Sequence, residues 1–216
     1  MILSALKVLE LNKEYNLIEG LCKRELENPE GCGIDLRVGR VEKIIGDSFL
    51  GIDKEGEKNR YSPKTELIGD IKEDGNKLII MKPGDYYLVQ TMEVITSPSL
   101  KVKYDDNFPE GYIMPLVFPR SSLQRGAVSF HATKTDQGYS GKLTFGIRNL
   151  GEHNFKFELG SRMFNIIFEP IIGEIKRAYS GQHNKGRITS QGEEELQTWI
   201  NLFLTFQKYY YKYPRR

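Results

Sequence analysis

Lys142-Leu143-Thr144-Phe145-Gly146-Ile147-Arg148-Asn149 runs into the turn Leu150-Gly151-Glu152. His153-Asn154-Phe155-Lys156-Phe157-Glu158 then leads to Leu159-Gly160-Ser161, and Met163-Phe164-Asn165-Ile166-Ile167-Phe168-Glu169 follows. Each run is short and rich in β-branched and aromatic residues, and each break carries glycine, which reads as strand, turn, strand. The same punctuation extends upstream over 77–81, 86–93, 112–118 and 127–133, with Lys82-Pro83-Gly84-Asp85 and Gln137-Gly138 as turn signals. Short strands at even spacing, with no alternation of strand and helix, predict an all-β core of the sandwich, barrel or jelly-roll kind.

Outside this core the signals change. Ser4 is a good N-cap for a short helix reaching about Tyr15, with Leu6, Val8 and Leu9 among charged residues. From Gly33 onward, Ile34, Leu36, Val38 and Val41 interleave with Asp35, Arg37 and Arg40, close to the period of a half-buried strand. Residues 45–75 are polar, contain glycine and show little periodicity, so they read as long loops or an excursion. After Ser190, Glu193, Glu194 and Glu195 open an apolar-periodic segment (Leu196, Trp199, Ile200, Phe203) that ends in lysines, arginines and Pro214. That charge order suits a helix dipole and predicts a terminal helix over about 192–209. The expected organisation is a β domain over 1–190 and a helical extension over 191–216.

Composition narrows the classes. With 28% charged and 39% hydrophobic residues the chain has the balance of a folded globular protein, and a net charge of +2 offers no basic field to argue for nucleic acid. No apolar run approaches the length of about 20 residues that spans a bilayer, so no membrane partner is expected. The start Met1-Ile2-Leu3-Ser4 lacks the features of a leader, and Cys22 and Cys32 read as reduced thiols of a cytoplasmic protein. The Tyr209-Tyr210-Tyr211-Lys212-Tyr213 ending is read as packing against the barrel or a neighbouring subunit rather than as a nucleic-acid platform. There is no Gly-Lys-Ser/Thr phosphate loop, no G-x-G-x-x-G, no G-x-S-x-G and no Cys-x-x-Cys beside the scattered His131, His153 and His183. Catalysis, if present, has to come from carboxylates, arginines, hydroxyls and a metal carried in with the substrate.

Two polar segments supply such groups. Phe118-Pro119-Arg120-Ser121-Ser122-Leu123-Gln124-Arg125 follows an apolar strand with two guanidiniums and two hydroxyls, a loop suited to phosphate oxygens. Thr135-Asp136-Gln137-Gly138-Tyr139-Ser140-Gly141 is a turn by composition that sets a carboxylate and an aromatic ring beside a glycine able to approach a ligand closely. Each alone also fits an ordinary solvated turn.

Together, and in this order, they resemble the dUTPase and dCTP deaminase superfamily. Cys32-Gly33-Ile34-Asp35-Leu36-Arg37 is similar to its first motif. Gly160-Ser161-Arg162-Met163-Phe164-Asn165-Ile166-Ile167 is similar to the Gly-x-Arg strand of its fourth. Ala178-Tyr179-Ser180-Gly181, leading to Lys185-Gly186-Arg187, resembles the closing tail of the deaminases. The resemblance spans roughly residues 1–190.

It implies a distorted jelly roll of the dUTPase-like β-clip type, a homotrimer with sites between subunits, and a pyrimidine deoxynucleoside triphosphate as ligand. By the same resemblance, Arg120, Ser121, Ser122 and Arg125 would contact phosphates, with Tyr179, Lys185 and Arg187 closing over them. Asp136 would orient or deprotonate the attacking water, and Tyr139 would pack on the deoxyribose. The arm between Ala127 and Thr135, including Ala132 and Thr133, would recognise the pyrimidine largely through its backbone. Asp35 would approach, through water, the magnesium that arrives with the triphosphate.

One position divides the chemistries. In the deaminase pattern a glutamate stands ten residues beyond the Asp of the Asp-x-Gly turn, where this chain has Gly146. Glycine cannot move a proton. A deaminase-like frame without that glutamate resembles archaeal-type dUTPases, so hydrolysis of dUTP to dUMP and pyrophosphate is the expected activity. The alternatives are a dCTP deaminase, monofunctional or bifunctional, drawing its base from another carboxylate such as Glu152 or Glu158, and a non-catalytic nucleotide-binding module.

Overall fold

In a computed structural model the chain is described over residues 1–52, 59–179, 181, 183–186 and 188. The expected terminal helix, the extension over 191–216 and Arg187 lie outside the described residues.

The elements run α1 (Ala5–Tyr15), β1 (Ile18–Glu19), α2 (Lys23–Glu27), β2 (Ile34–Ile44), β3 (Phe49–Leu50), β4 (Arg60–Tyr61), β5 (Thr65–Asp70) and α3 (Ile71–Asp74). They continue β6 (Leu78–Met81), β7 (Tyr86–Thr96), β8 (Tyr112–Pro119), α4 (Ser121–Arg125), β9 (Val128–His131), β10 (Ser140–Asn149), β11 (Phe155–Glu158) and β12 (Arg162–Ile171). The main sheet is ordered β8-β12-β2-β7-β10-β9, with β1 also on β7 and β5 also on β2. All its pairings are antiparallel. The fold is mostly β, and the sheet is a nearly closed, barrel-like layer of the dUTPase type.

Closure is visible in three rings. Phe130 on β9 lies at the end of the strand order and Phe164 on β12 near its start, yet their ring centroids are 5.7 Å apart. Phe145 on β10 bridges them at 5.0 and 4.8 Å. The sheet must curl to bring its ends around one core, the route by which an antiparallel sheet hides its edges. β8, at one end of the order, carries Pro115 and Pro119, residues that cannot donate to a ladder and therefore favour edge strands.

Helix α1 starts where its sequence predicts. Ser4 is the N-cap and accepts from the Lys7 amide at 3.2 Å, and Ala5, Val8 and Leu11 are buried. Leu3 N–H donates to the Phe168 carbonyl and Ala5 N–H to that of Gly31, both at 3.0 Å, which ties the helix to β12 and to the entry of β2.

Three local expectations are corrected. Residues 45–75 are not only loops, because β5 pairs with β2 from Arg40↔Asp70 to Ile44↔Thr65; its mixed polar sequence suits an outer strand on which Glu66 and Leu67 are exposed and most of the rest half-buried. The segment after Arg120 is a short helix, α4, anchored by buried Leu123, rather than a loop. β2 does not alternate buried and exposed: Asp35 and Glu42 are buried along with their apolar neighbours. β2 has strands on both sides, and its polar residues are covered by partners from elsewhere in the chain. Arg37 Nε, for example, lies 2.7 Å from the fully buried Glu93 carboxylate on β7.

Candidate active site

Two constellations hold the residues singled out above. The first is centred on Asp35, in the middle of the pair β2–β12, where Asn165 is its direct partner across the ladder. Asn165 donates Nδ2–H to Oδ1 at 3.0 Å, and Arg162 donates Nη1–H to Oδ2 at 3.0 Å. Arg120 enters from the end of β8, its Nε 3.3 Å from the same Oδ2, with its backbone held by the Met163 carbonyl at 3.0 Å. The motif glycine before Ile34 has a mechanical purpose. A Cβ at Gly33 would stand 1.9 Å from Asn165 Oδ1, so only glycine lets that amide reach Asp35.

Behind Asp35 lies Glu25 of α2, 1% exposed, which accepts from the Asp35 backbone N–H at 3.1 Å and sits 3.6 Å from Arg162 Nη1. Arg24 closes on the same carboxylate. Arg24 also pairs with the exposed Glu30 at 2.9 Å, so three arginines are interleaved with three carboxylates. The Arg120 and Arg162 side chains remain about a third exposed, at 32% and 30%, with guanidinium N–H groups free to face an anion. Glu25 was not legible as a site residue, because Lys23-Arg24-Glu25-Leu26-Glu27 has the look of a solvated charge run. Ser121, Ser122 and Arg125 are exposed on α4, directly after Arg120.

The second constellation is the turn 135–141. Gly138 adopts φ +94°, and its N–H donates to the Ser97 carbonyl at 2.7 Å, while Ser97 N–H donates to that of Tyr139 at 2.9 Å. Thr135 and Gln137 are buried, so the turn is held from beneath. Asp136 between them keeps a half-exposed side chain whose ion-pair partner is the neighbouring Lys134. Tyr139 is buried and donates its hydroxyl to the Lys142 carbonyl at 2.6 Å. Burial, and then the nearby Tyr179 phenol, push its pKa up to about 12.

The tail returns to the same turn within one chain. Tyr179 N–H donates to the Gln137 carbonyl at 2.6 Å, its ring 6.0 Å from that of Tyr139. Lys185 N–H donates to the Ser140 carbonyl at 2.9 Å, and Gln90 Nε2–H to that of Gly186 at 2.7 Å. The Lys185 side chain is exposed. Asp136, Tyr139, Tyr179 and Lys185 are therefore gathered at one place. Ala132 and Thr133 lie exposed on the segment leading into it from β9. The two constellations share no hydrogen bond or ion pair among the described residues.

Gly146 completes the picture. A Cβ there would stand 1.9 Å from Tyr86 Oη, so the phenol of β7 fills the room that a side chain on β10 would need. Tyr86 carried no signal in the sequence, since only strand pairing reveals its position.

Fold and site together define an all-β protein of the dUTPase-like kind, with an arginine-rich, carboxylate-ordered cluster and an aspartate on a rigid turn. The chain belongs to the dCTP deaminase-like family, whose model matches residues 2–171. It is 32% identical over 161 residues to a probable deoxyuridine 5'-triphosphate nucleotidohydrolase of Methanothermobacter thermautotrophicus, covering 74% of this chain and 89% of the relative. It is 26% identical over 185 residues to a dCTP deaminase of Halorubrum lacusprofundi, covering 83% and 82%. Among solved structures, a 2'-deoxycytidine 5'-triphosphate deaminase from Agrobacterium tumefaciens superposes with a TM-score of 0.53 at 17% identity. That match covers 77% of this chain and 47% of the other, so this chain spans just under half its length and the likeness is one of fold. Among the described residues no helix is long and apolar enough to cross a membrane.

Proposed function

We propose that this chain hydrolyses dUTP to dUMP and pyrophosphate, as a homotrimer in which the Asp35 and Asp136 constellations of neighbouring subunits meet. The observation that carries this reading is the pair Gly146 and Tyr86. The position from which a carboxylate would act on a cytosine is a glycine, and the space beside it is already occupied by a phenol. Asp136, by contrast, is present, half exposed and mounted on a turn fixed by backbone bonds.

In this reading Asp136 takes the proton of a water as it attacks the α-phosphorus in line, and pyrophosphate departs with the P–O electron pair. Arg120, Ser121, Ser122 and Arg125, with Lys185 and Arg187 of the tail, bind the phosphate oxygens on which charge builds. Tyr139 forms the aromatic wall for the deoxyribose, Tyr179 beside it closes over the phosphates, and Ala132 and Thr133 present backbone to the base. Magnesium entering with the triphosphate would neutralise phosphate charge. Among the described residues there is no cluster of three or more His, Cys, Asp or Glu that could hold a metal ion. The two oxygens of Asp35 already accept from Arg162 and Asn165, and Arg120 pairs with it ionically, so its part toward the ion would run through water while it aims the arginines.

A second reading, dCTP deamination, is favoured by the relative from Halorubrum, which carries that name. Glu152 and Glu158, the carboxylates available to it, are exposed, in the turn after β10 and on β11. One experiment separates the readings: incubation with dUTP and dCTP in Mg²⁺ while pyrophosphate and ammonia are measured. Pyrophosphate from dUTP alone supports the hydrolase and ammonia from dCTP the deaminase. Binding without either product identifies a non-catalytic nucleotide module.

A further inference from the structure

Antiparallel pairing sets Gly146 opposite Leu88 of β7 on one flank and opposite His131 of β9 on the other, while Tyr86 pairs with Arg148. Paired residues share a face and alternate residues return to it, so Tyr86, Leu88, His131, Gly146 and Arg148 all lie on one side of the sheet. The Tyr86 ring leans across the bare backbone at Gly146 toward β9, its centroid 5.9 Å from that of His131. Such diagonal contacts are within reach of aromatic side chains. The hydroxyl donates no hydrogen bond among the described residues, and burial raises its pKa, so it stays a neutral donor at physiological pH.

His131 is the residue before Ala132 and Thr133, the segment to which the proposed function gives the base. An unspent phenol donor beside that segment has an obvious use. We propose that Tyr86 is a specificity-determining residue, whose hydroxyl donates to the 4-oxo group of uracil while its ring denies position 146 any side chain. The inference rests on the proposed function for the identity of the base. Uracil and cytosine differ only along their 3,4 edge. There uracil offers a carbonyl acceptor, whereas cytosine offers an amino group that cannot accept. With cytosine bound, the Tyr86 proton must turn away into partly buried surroundings and is left unpaired, the situation that makes polar sites discriminate.

The test is equilibrium binding by calorimetry of the non-hydrolysable α,β-imido analogues of dUTP and dCTP, with Mg²⁺, to the full chain and to Tyr86→Phe. Phenylalanine keeps the ring over Gly146 and against His131 and removes only the hydroxyl. The expected result is about tenfold weaker binding of the dUTP analogue, with the dCTP analogue changed less than twofold and the melting temperature unchanged. Gly146→Ala, which displaces the phenol without deleting it, is expected to give the same dUTP-selective loss in a folded protein. Unchanged affinity for the dUTP analogue in Tyr86→Phe, or equal losses for both analogues, overturns the assignment. A wild-type chain that binds the dUTP analogue but releases no pyrophosphate from dUTP overturns the hydrolase reading instead, and the affinities still decide Tyr86. A wild-type chain that binds neither analogue overturns both.

Discussion

Asp136→Asn tests the proposed chemistry most directly, because the structure lets its effects on rate and on stability be separated beforehand. The Asp136 side chain is half exposed, and its ion-pair partner is the still more exposed Lys134. Exposed pairs of this kind contribute about 0–1 kcal/mol. The turn itself is held by other groups: the Gly138 N–H on Ser97, the Tyr139 N–H on the Asp136 backbone carbonyl, and buried Thr135 and Gln137. None of these uses the Asp136 carboxylate, and asparagine preserves its volume. Folding stability is therefore expected to change by less than about 1 kcal/mol, a shift of no more than roughly 4 °C in melting temperature for a chain of this size. A general base, in contrast, contributes about 10²–10⁴ in rate, or roughly 3–5 kcal/mol of barrier. Pyrophosphate release from dUTP should fall by that factor, while calorimetry shows the imido analogue of dUTP binding within about threefold of wild type. Undiminished release would refute Asp136 as the base. A rate loss accompanied by a melting temperature lowered by 10 °C or more would show that the carboxylate supports the turn instead.

Gly33→Ala should force the Asn165 amide off Asp35, since the added Cβ would stand 1.9 Å from its Oδ1; a loss of about 1–3 kcal/mol is expected in denaturant titration, and a stability equal to wild type would refute the packing argument. Asn149→Ala removes a buried side chain that donates to the Met81 and His153 carbonyls at 3.0 and 2.9 Å and accepts from the Gly151 N–H at 3.0 Å. About 2–4 kcal/mol should be lost, lowering the melting temperature by roughly 5–15 °C, and a shift under 2 °C would contradict it. Alkaline stability follows from Tyr87 and Tyr139, both raised from 10.0 to about 12 by burial first, with the Asp85 carboxylate adding for Tyr87 and the Tyr179 phenol for Tyr139. Below pH 10 both phenols are protonated whether the chain is folded or not. Between about 10 and 12 the unfolded chain ionises first, so stability falls by up to about 1.4 kcal/mol per pH unit for each phenol. Tyr87→Phe should make that decline shallower when unfolding is followed against pH, and an identical slope would refute it.

The strand pattern, the Ser4 cap and the turn glycines were legible because they express local physics: alternation, an orphan helix amide, a backbone that needs left-handed freedom. The order of the Arg120 and Asp136 motifs was legible too, and with it the family. Ser121, Ser122 and Arg125 could be named as candidates for binding phosphate, but the five-residue helix that carries them could not be read, its length being too short for periodicity to register. What tertiary structure alone decided is which residues meet. Asp35 joins Arg162 and Asn165 across separations of 127 and 130 positions, Glu25 comes beneath it from an unpredicted helix, and Tyr86 reaches Gly146 from a neighbouring strand. Each of these depends on strand register and on how far the sheet curls. Register is set by how side chains from the whole barrel fill one core, so no local stretch of this chain contains it.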